Sequence, residues 1–515
     1  MQMRRWQMAV ILAMITCAAA QAERTVGLLH HGDASTEGYT LFSPMNGLNT
    51  FLVDHDGRAV HSWTHTRRPG HGFYLLEDGS LLRAAIAEGN SDFIAGGAGG
   101  QIERWSWDGN LEWSFRYSQE GSHKAHHDIA PLPNGNVLIL AWEMRDEDAC
   151  IAAGRDPSTL QEGELWPEHI IEVQPTGFET GDIVWEWHAW DHLVQNFDST
   201  KPNYGDPTDY PGKIDINYRS DDFADWHHVN SLDYNAALDQ IVMSVHRTGE
   251  IWVIDHGTTT QEAQGPAGDL LYRWGNAAAW SRDASEDDRI LYGQHDARWV
   301  PEGYPGAGRI MIFNNGNGRP EGSFSTVEEI ISPVLADGSY ELPVGDVYGP
   351  AASELVYMSS QPEDFAAMFI SGAHRLPSGN TLICSGPWGE FFEVTPDGVV
   401  VWRYINPVVI EGPLYQGELP PMQGGLSTSN RCFRATRYLP DDPAFDGVAL
   451  IPGNPIELYD EEDCLADLGG NGSVEIADLL HVLSYWETGA GDVQGDGLTD
   501  ISDVLLVIAA WGQCL

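Results

Sequence analysis

Two phrases alternate along most of this chain, and their repetition limits the folds that it can adopt. The first phrase is a glycine turn followed by a tryptophan-rich segment, and it occurs at residues 56–63, 108–115, 181–188, 268–275 and 397–404. The second begins with histidine and holds two short apolar segments joined by a turn, at residues 71–84, 126–141, 227–245, 295–313 and 374–386. Apolar and polar residues that alternate between such turns are typical of β-strands.

The spacing of the second phrase predicts a β-propeller. The last histidine of each copy lies 56, 101, 67 and 79 residues before that of the next copy. Each unit therefore has room for about four short strands and variable loops, as in a propeller blade. Five copies are visible, and a sixth blade would form from residues 49–57 (NTFLVDHDG) and 431–439 (RCFRATRYL). We predict an all-β, six-bladed propeller over residues 23–455, with seven blades as the alternative.

The propeller fold gives the repeated histidines a common location. The innermost strand of each blade lines the central channel, so one position repeated in every blade forms a ring at the channel mouth. The predicted ring consists of His71, His127, His228, His295 and His374. The alternative is that each histidine is a structural residue at a blade corner, hydrogen-bonded to neighbouring backbone.

The net charge and the N-terminal segment limit the possible partners and the location of the protein. The formal net charge of −49 argues against nucleic acid or an anionic membrane as a partner, because both bind basic surfaces. Arg4 and Arg5, the apolar run that follows and Ala20-Gln21-Ala22 are typical of a signal peptide over residues 1–22. No other run approaches the roughly 18 apolar residues of a membrane span. We therefore expect an exported protein in the periplasm, at the cell surface or outside the cell.

Residues 461–515 repeat a loop-helix unit with an offset of 25 residues, DLGGNGSVEIADLLHVLSYW (467–486) and DVQGDGLTDISDVLLVIAAW (492–511). The spacing of oxygen-bearing side chains around a central glycine is that of EF-hand-like calcium loops. The segment contains 11 acidic residues and no Lys or Arg, a charge that calcium would balance. The predicted ligands are Asp467, Asn471, Glu475 and Asp478 in the first loop, and Asp492, Gln494, Asp496, Asp500 and Asp503 in the second. The apolar helix positions are predicted to form one face, Ile476, Leu479, Leu480 and Leu483 matching Ile501, Val504, Leu505 and Ile508.

Two phrases contain candidate catalytic and anion-binding residues. DWHHVNS supplies His228, and GQHDARW followed by IFNNGNGR supplies His295 and Arg319. A planar guanidinium binds a tetrahedral oxyanion in bidentate fashion. Histidines beside it can donate to the oxyanion, serve as acid or base, or attack as neutral imidazole. The alternative is that three histidines from different blades chelate zinc or manganese.

Both regions resemble known families. Residues 461–515 resemble a type I dockerin domain, which implies a cohesin-like protein partner. The phrases DWHHVNSLDYN, GQHDARWVPEG with FNNGNGR, HRLPSGNTLI with EVTPDGVVVWRYINP, and RCFRATRYLP resemble the bacterial arylsulfate sulfotransferases. That resemblance implies a six-bladed propeller that transfers a sulfuryl group from an aryl sulfate to a phenol. It implies no nucleotide donor, no catalytic cofactor and a sulfated-histidine intermediate in the channel.

The same resemblance implies roles for individual residues. His228, His295 and Arg319 fall on the family's sulfuryl-binding positions. The family's sulfated histidine falls in CSGPWGEFFEV, where this chain has Trp388, so His374 is predicted as the nucleophile and His127 is the alternative. Two other functions stay open: a non-catalytic propeller that binds sulfated or phenolic ligands and is tethered by its dockerin-like domain, and a metal-dependent propeller enzyme such as a lyase.

Overall fold

Six antiparallel β-sheets build the main part of the molecule. The computed structural model describes residues 24–97, 99–218, 223–459, 466–468, 473–486, 491, 493, 499–509 and 511–513. One compact unit spans Val26–Leu458, and the described residues from Tyr459 onward belong to a second unit. The predicted signal peptide lies outside the described residues. The prediction of a six-bladed propeller is confirmed, because the first unit contains six sheets of four or five strands.

The blades are numbered along the chain, and the strands of each blade are named in order from the channel outward. Blade 1 contains Cys432–Tyr438, Tyr39–Pro44, Asn49–Val53 and Ala59–Thr64; blade 2 contains Pro69–Leu75, Leu81–Ile86, Gly100–Trp105 and Leu111–Arg116. Blade 3 contains His123–Pro131, Val137–Glu143, Glu168–Gly177 and Thr180–His188, with Ser118–Gln119 beside the first; blade 4 contains Val229–Asn235, Gln240–Val245, Glu250–Asp255 and Tyr272–Trp274. Blade 5 contains His295–Trp299, Ile310–Asn314, Thr326–Ile330 and Glu354–Tyr357; blade 6 contains Gly372–Arg375, Thr381–Ser385, Glu390–Val394, Val400–Ile405 and Gly27–His31.

Both chain ends of the propeller close the ring. The C-terminal strand Cys432–Tyr438 is the inner strand of blade 1 and pairs with Tyr39–Pro44. The N-terminal strand Gly27–His31 is added to the outer edge of blade 6. The segments NTFLVDHDG and RCFRATRYL therefore share a blade as predicted, with Tyr39–Pro44 between them. Closure by mixed N- and C-terminal strands ties the first and last blades together.

The tryptophan phrase connects each blade that contains it to the next one. It forms the fourth strand of its blade counted from the channel, and an indole N–H from that strand donates to backbone of the next blade. The five pairs are Trp63 to Ser106 O at 3.0 Å, Trp113 to Thr180 O at 3.0 Å, Trp187 to Gly268 O at 2.8 Å, Trp274 to Pro350 O at 2.7 Å and Trp402 to His55 O at 2.9 Å. A buried indole needs an acceptor for its N–H, so each tryptophan fills the gap between blades and fixes their relative position.

Shorter elements lie between the blades and in the second unit. Paired two-residue strands are Arg145–Asp146 with Glu164–Leu165, Leu193–Val194 with Ile214–Asp215, Val408–Val409 with Gly412–Pro413, Met422–Gln423 with Ser427–Thr428, and Ser473–Val474 with Gly512–Gln513. The α-helices are Glu147–Ala152, Thr260–Ala263, Ile476–Ser484 and Ile501–Ala509. None of the helices in the described ranges is both long and apolar enough to cross a membrane.

The second unit contains two short helices, Ile476–Ser484 and Ile501–Ala509, that pack through small side chains. Val482 and Val507 are buried and form its core together with Ala466, Val474 and Val493. Leu479 and Val504 pack partly against that core. The other six predicted positions are exposed, namely Ile476, Leu480, Leu483, Ile501, Leu505 and Ile508. Most positions of the predicted apolar helical face are therefore exposed, and the core of this unit consists mainly of smaller side chains at other positions.

Candidate functional site

A repeated irregularity of the inner strands builds the candidate site. In five blades a non-glycine residue at the same channel mouth has positive φ, at His71, His127, His228, Asp296 and Ser371. Each of the inner strands of blades 2 to 5 also shifts register at this point, as at a β-bulge. Such backbone costs of order 1–3 kcal/mol per residue and is typical of functional sites. The bulge re-aims one side chain of each strand into the channel mouth.

Five imidazoles follow one another around this mouth, and we call them the histidine arc. Their ring centroids are separated by 5.6 Å for His71–His127, 4.6 Å for His127–His228, 5.2 Å for His228–His246 and 5.3 Å for His246–His295. Four of these residues belong to the predicted ring. His246, at the end of the second strand of blade 4, is not among the predicted residues, although SVHRTGE places a histidine directly after an apolar strand.

His228 forms a carboxylate–imidazole pair. Its Nδ1 lies 2.5 Å from Asp225 Oδ2, and Arg247 Nη2 lies 4.0 Å from the same oxygen. Nδ1 therefore carries the proton, and the lone pair is on Nε2. Among the described residues, Nε2 has no protein hydrogen-bond partner. The neighbouring His227 is instead buried and stacked on Trp226 with 3.8 Å between centroids, so only His228 of the two reaches the arc.

His127 is connected to a buried acid through a second histidine. His126 Nδ1 lies 2.8 Å from His127 Nδ1, and His126 Nε2 lies 2.9 Å from Glu168 Oε2. The other oxygen of Glu168 accepts the N–H of Val229 at 2.9 Å. Burial raises the pKa of Glu168 well above its ordinary value, and the Val229 N–H only partly offsets this. Burial also holds the pKa of His126 and His127 well below the ordinary value. Both shifts favour the same arrangement, a protonated acid beside two neutral imidazoles.

The predicted site residue His295 is fully engaged with protein. Its Nδ1–H donates to Asn315 Oδ1 at 2.8 Å, and its Nε2 accepts the N–H of Ile370 at 3.1 Å. Burial lowers its pKa to about 3. Asp296, one residue later, has the left-handed backbone that histidines have in blades 2 to 4. His295 thus closes one end of the arc as a neutral, fixed imidazole that joins blades 5 and 6.

The predicted oxyanion ligand Arg319 points toward the third strand of blade 5. Its Nη2 donates to Thr326 Oγ1 at 2.9 Å and lies 3.7 Å from Glu328. Its guanidinium also lies over the ring of Phe324, 4.6 Å from the centroid. Two other arginines are close enough to His246 to contribute to its lowered pKa, after burial and the neighbouring histidines: Arg247 and Arg289. The guanidinium of Arg247 lies 4.5 Å from the centroid of Phe223, whose side chain is 54% exposed.

His374 is separated from the arc. In the hairpins of blades 2 and 6, Leu75 pairs with Leu81 and Arg375 pairs with Thr381 across turns of equal length. By that register Ser371, and not His374, corresponds to His71. His374 lies three residues, or about 10 Å, further along the channel. Its Nε2 accepts the N–H of Arg437 at 3.2 Å, and it lines a cavity of about 640 Å³ at the opposite mouth.

Four charged side chains lie between the two mouths, and we call them the ion-pair layer. Arg434 Nη2 lies 2.7 Å from Asp128 Oδ2 and 2.9 Å from Asp296 Oδ1, and Arg298 Nη2 lies 2.7 Å from Asp296 Oδ1. Burial raises the pKa of Asp296, but Arg298 and Arg434 outweigh that effect and hold it below its ordinary value. The layer joins blades 1, 3 and 5 across the channel and separates His374 from the arc.

A short loop of blade 2 covers the arc, and we call residues 94–97 (IAGG) the glycine loop. His127 N–H donates to Gly97 O at 2.8 Å. Gly97 has φ +82°, and a Cβ there would lie 2.0 Å from His127 Cε1. A Cβ on Gly96 would lie 3.6 Å from His228 Cε1. Only glycine allows the backbone to approach the imidazoles this closely, and the loop shields them from water.

The fold and the arc define a class of protein: a six-bladed β-propeller with a histidine-built site at one channel mouth. The family follows from the sequence, because a sequence model of the arylsulfotransferase (ASST) family matches residues 33–334, more than half of the chain. The chain belongs to the arylsulfotransferase family. Membership indicates aryl sulfuryl transfer as the activity at the level of the family. The matched region contains the whole arc and ends before His374.

Other comparisons add similar structures. A protein of unknown function from Bacteroides caccae is 10% identical, with 78% of this chain and 99% of that chain covered and a TM-score of 0.39. The Cps50 (Swd1) β-propeller domain of Myceliophteria thermophila is 11% identical, with coverages of 77% and 89% and a TM-score of 0.38. Virginiamycin B lyase of Staphylococcus aureus is 8% identical, with coverages of 74% and 85% and a TM-score of 0.34. A search of curated proteins gave no match.

Proposed function

We propose that this protein transfers a sulfuryl group from an aryl sulfate ester to a phenolic acceptor, without a nucleotide donor, and that His228 carries the group between them. The observation that carries the proposal is the contact of two differently supported imidazoles, His228 paired with Asp225 and His127 linked to Glu168. One imidazole presents a lone pair and the other a proton, which are the two groups that such a transfer needs.

In the first half-reaction the Nε2 lone pair of His228 attacks sulfur, and the bond from sulfur to the aryl oxygen breaks. Asp225 accepts the Nδ1–H and stabilises the charge that develops on the ring. The leaving phenolate takes the Nε2 proton of His127. His127 Nδ1 then receives the Nδ1 proton of His126, and His126 Nε2 receives the proton of Glu168, which becomes a carboxylate. The products are a phenol and an N-sulfonated His228.

In the second half-reaction an acceptor phenol loses its proton to His127 Nε2, and its oxygen attacks sulfur. The bond from sulfur to His228 Nε2 breaks, and the protons return along His126 to Glu168. Arg247 supplies positive charge beside the transferring group, and Phe223 offers a face on which an aryl ring can stack. We call His127, His126 and Glu168 the proton relay. Each half-reaction leaves the relay in the protonation state that the other half-reaction needs, so the same side chains serve as acid and then as base.

A direct assay tests the proposal. Purified full-length protein is mixed with p-nitrophenyl sulfate, with and without phenol and with and without EDTA. We expect nitrophenol release that depends on phenol, is insensitive to EDTA and is lost in His228→Asn but retained in His374→Ala. Loss of activity in His374→Ala with retention in His228→Asn would contradict the proposal. Ligand binding without release would indicate a non-catalytic propeller, and inhibition by EDTA without unfolding would indicate a metal-dependent enzyme.

We also propose that the second unit binds calcium and docks to a cohesin-like partner. Asp478 and Asp503, the twelfth residues of the two predicted loops, are buried carboxylates, and Asp503 accepts the N–H groups of Val493 and Asp500, both at 2.7 Å. Asp467, Glu475 and Asp500 are also described, whereas Asn471, Asp492, Gln494 and Asp496 lie outside the described residues. The exposed leucines and isoleucines of the two helices occupy equivalent positions and suit a protein partner.

The calcium proposal is tested by titration calorimetry of the chelator-treated full-length protein. We expect two binding events, of which Asp503→Asn removes one and Asp478→Asn the other. Equal calcium binding by the wild type and both variants would contradict it.

A further inference from the structure

Blade 3 contains a second cluster of histidine and carboxylate side chains, away from the arc. Glu143 ends its second strand, His169 lies on its third, and His188 and Glu186 lie on its outermost strand. His169 and His188 are direct cross-strand partners. One ligand atom from each of Glu143, His169 and His188 lies within 4.8 Å of the others. Three neighbouring strands thus bring their metal-binding side chains to one point.

The two imidazoles of this cluster have carboxylates on both sides. Glu186 Oε2 lies 3.3 Å from His169 Nε2 and 3.4 Å from His188 Nε2, so it can accept an N–H from both imidazoles. On the other side, His188 Nδ1 lies 3.2 Å from Glu143 Oε2. When Glu186 accepts the Nε2–H of His188, the Nδ1 lone pair faces Glu143 and can bind a metal ion between the two atoms.

The distances in the cluster are compatible with a bound ion. Glu143 Oε2 and His188 Nδ1 are 3.2 Å apart, longer than the roughly 2.7–2.9 Å of a charge-assisted hydrogen bond, which His192–Asp269 matches at 2.8 Å. Glu172 and His256, outside the cluster, are also 3.2 Å apart. Ligands at about 2.0–2.1 Å from a tetrahedral zinc ion lie about 3.3–3.4 Å apart, and the ligand atoms of Glu143, His169 and His188 all lie within 4.8 Å of one another, so small side-chain shifts can bring them onto one ion.

Supporting contacts hold the cluster in place. Tyr117 Oη lies 3.3 Å from His169 Nδ1, and Arg145 Nη2 donates to Glu143 Oε2 at 2.7 Å. The other oxygen of Glu143, Oε1, is buried and has no hydrogen-bond partner among the described residues. Carboxylates and hydroxyls around the ligands are typical of metal centres, where they fix the orientation of the imidazoles. An unpartnered buried carboxylate oxygen is costly unless a cation occupies the space before it.

We infer that Glu143, His169 and His188 bind a divalent transition-metal ion of the zinc class, with Glu186 holding the imidazoles from outside. Two imidazoles and one carboxylate suit zinc, whereas calcium and magnesium prefer oxygen ligands alone. The ion joins three strands of blade 3. Binding displaces the Nδ1 proton from any protonated His188 into solvent. This inference is independent of the sulfuryl-transfer proposal.

Zinc titration of the full-length protein tests the inference. Tag-free protein is stripped with chelator, dialysed and titrated with Zn²⁺ by calorimetry, alongside His188→Ala, Glu143→Gln and a matched control, His256→Gln. His256 also lies between two carboxylates, 2.7 Å from Asp239 and 3.2 Å from Glu172, but outside the blade 3 cluster. Because the arc histidines can also bind zinc, the decisive quantity is the difference in bound equivalents between wild type and variant.

We expect His188→Ala to bind one zinc equivalent fewer than the wild type, Glu143→Gln to weaken one site at least about tenfold, and His256→Gln to match the wild type. Zinc should raise the thermal midpoint of the wild type and of His256→Gln but not of His188→Ala. Equal zinc equivalents in the wild type, His188→Ala and Glu143→Gln would show that a proton alone fills the cluster and would overturn the inference. If His188→Ala fails to fold, the isosteric Glu143→Gln decides.

Discussion

At the scale of single residues, the role of each imidazole in the site depends on whether the carboxyl group that supports it accepts a proton or donates one. Asp225 accepts from His228 Nδ1 and leaves the lone pair on the outer nitrogen. Glu168 has a raised pKa and, through His126, leaves the outer nitrogen of His127 protonated. The two imidazoles thus have opposite roles because their carboxyl partners differ, as is common where an enzyme performs acid and base chemistry at one pH.

Replacing Glu168 with glutamine tests the relay. The amide of Glu168→Gln would keep a hydrogen bond to His126 but cannot release a proton to it. We expect the loss in kcat to be largest for a donor with a poor leaving group, about 100-fold or more for phenyl sulfate, and much smaller for p-nitrophenyl sulfate, whose leaving group needs little protonation. Steady-state rates with a series of substituted phenyl sulfates measure this dependence.

Glu172→Gln is the matched control, because Glu172 lies on the same strand and contacts His256 at 3.2 Å, away from the arc. Its kcat should equal that of the wild type for every donor. A loss in Glu168→Gln that is equal for good and poor leaving groups would show that Glu168 only supports the structure.

Single residues also show where the sequence is informative. The motif around His228 predicts a channel histidine, and period-two geometry separates it from His227. Asp225 lies in the same phrase, but Glu168 is 61 residues from Val229, which donates to it, and is brought there only by blade packing. The prediction that His374 joins the ring follows from the likeness of its phrase to the others, but the hairpin register moves it three residues along the channel. The direction of Arg319 depends on Thr326 and Phe324, which no motif reveals.

At the scale of elements, the inner strands and the glycine loop act together. The strands are predictable from alternation and turns, and the tryptophan strands from their repeated phrase. The bulges are not, because a histidine in the left-handed region has no local sequence signal. The close approach of Gly97 to His127 is a tertiary contact and likewise cannot be predicted from the sequence.

Gly97→Ala tests whether the glycine loop must touch the arc. The added Cβ would overlap His127, so the loop or the imidazole must move, and we expect at least a tenfold loss of activity. Gly89→Ala is the control, since Gly89 has nearly the same φ, +80°, with nothing within 4 Å of its Cβ. Both changes carry a backbone cost of about 1 kcal/mol, and only Gly97→Ala adds the overlap with His127, so Gly89→Ala shows how much of any loss of activity comes from the backbone alone. Equal activities would show that the loop does not position His127.

At the scale of the whole molecule, the channel is a stack of three layers: the histidine arc, the ion-pair layer and the cavity at the far mouth. The sequence predicts the six-bladed ring that encloses them. It does not predict the ion-pair layer, because Asp128, Asp296 and Arg434 come from three blades and meet only when the ring closes. Buried neutral histidines around one mouth make the stability of the ring sensitive to acid.

We predict that the free energy of unfolding falls as pH drops from 6.5 to 4. Burial lowers the pKa of His71 to about 4, whereas an unfolded histidine has a pKa of about 6.5. Below 6.5 the unfolded chain therefore binds a proton that the folded chain refuses, and stability is lost until the pH reaches the folded pKa. The shift corresponds to about 3 kcal/mol for His71. Glu168 has the opposite sign, because its raised pKa contributes stability at low pH that is lost as pH rises.

Chemical denaturation at several pH values measures this slope, and His71→Gln isolates one contribution. The variant should lose less stability between pH 7 and pH 4 than the wild type. Equal slopes in the two proteins would mean that His71 is not held neutral by burial.

Mass spectrometry of the trapped intermediate tests the central claim most directly. Full-length protein is incubated with p-nitrophenyl sulfate without acceptor, quenched in alkali and digested. We predict one added SO₃ group on the peptide that contains His228, its removal on addition of phenol, and no label in His228→Asn. Label on His374 or on any residue other than His228, or turnover in His228→Asn at the rate of the wild type, would contradict the account.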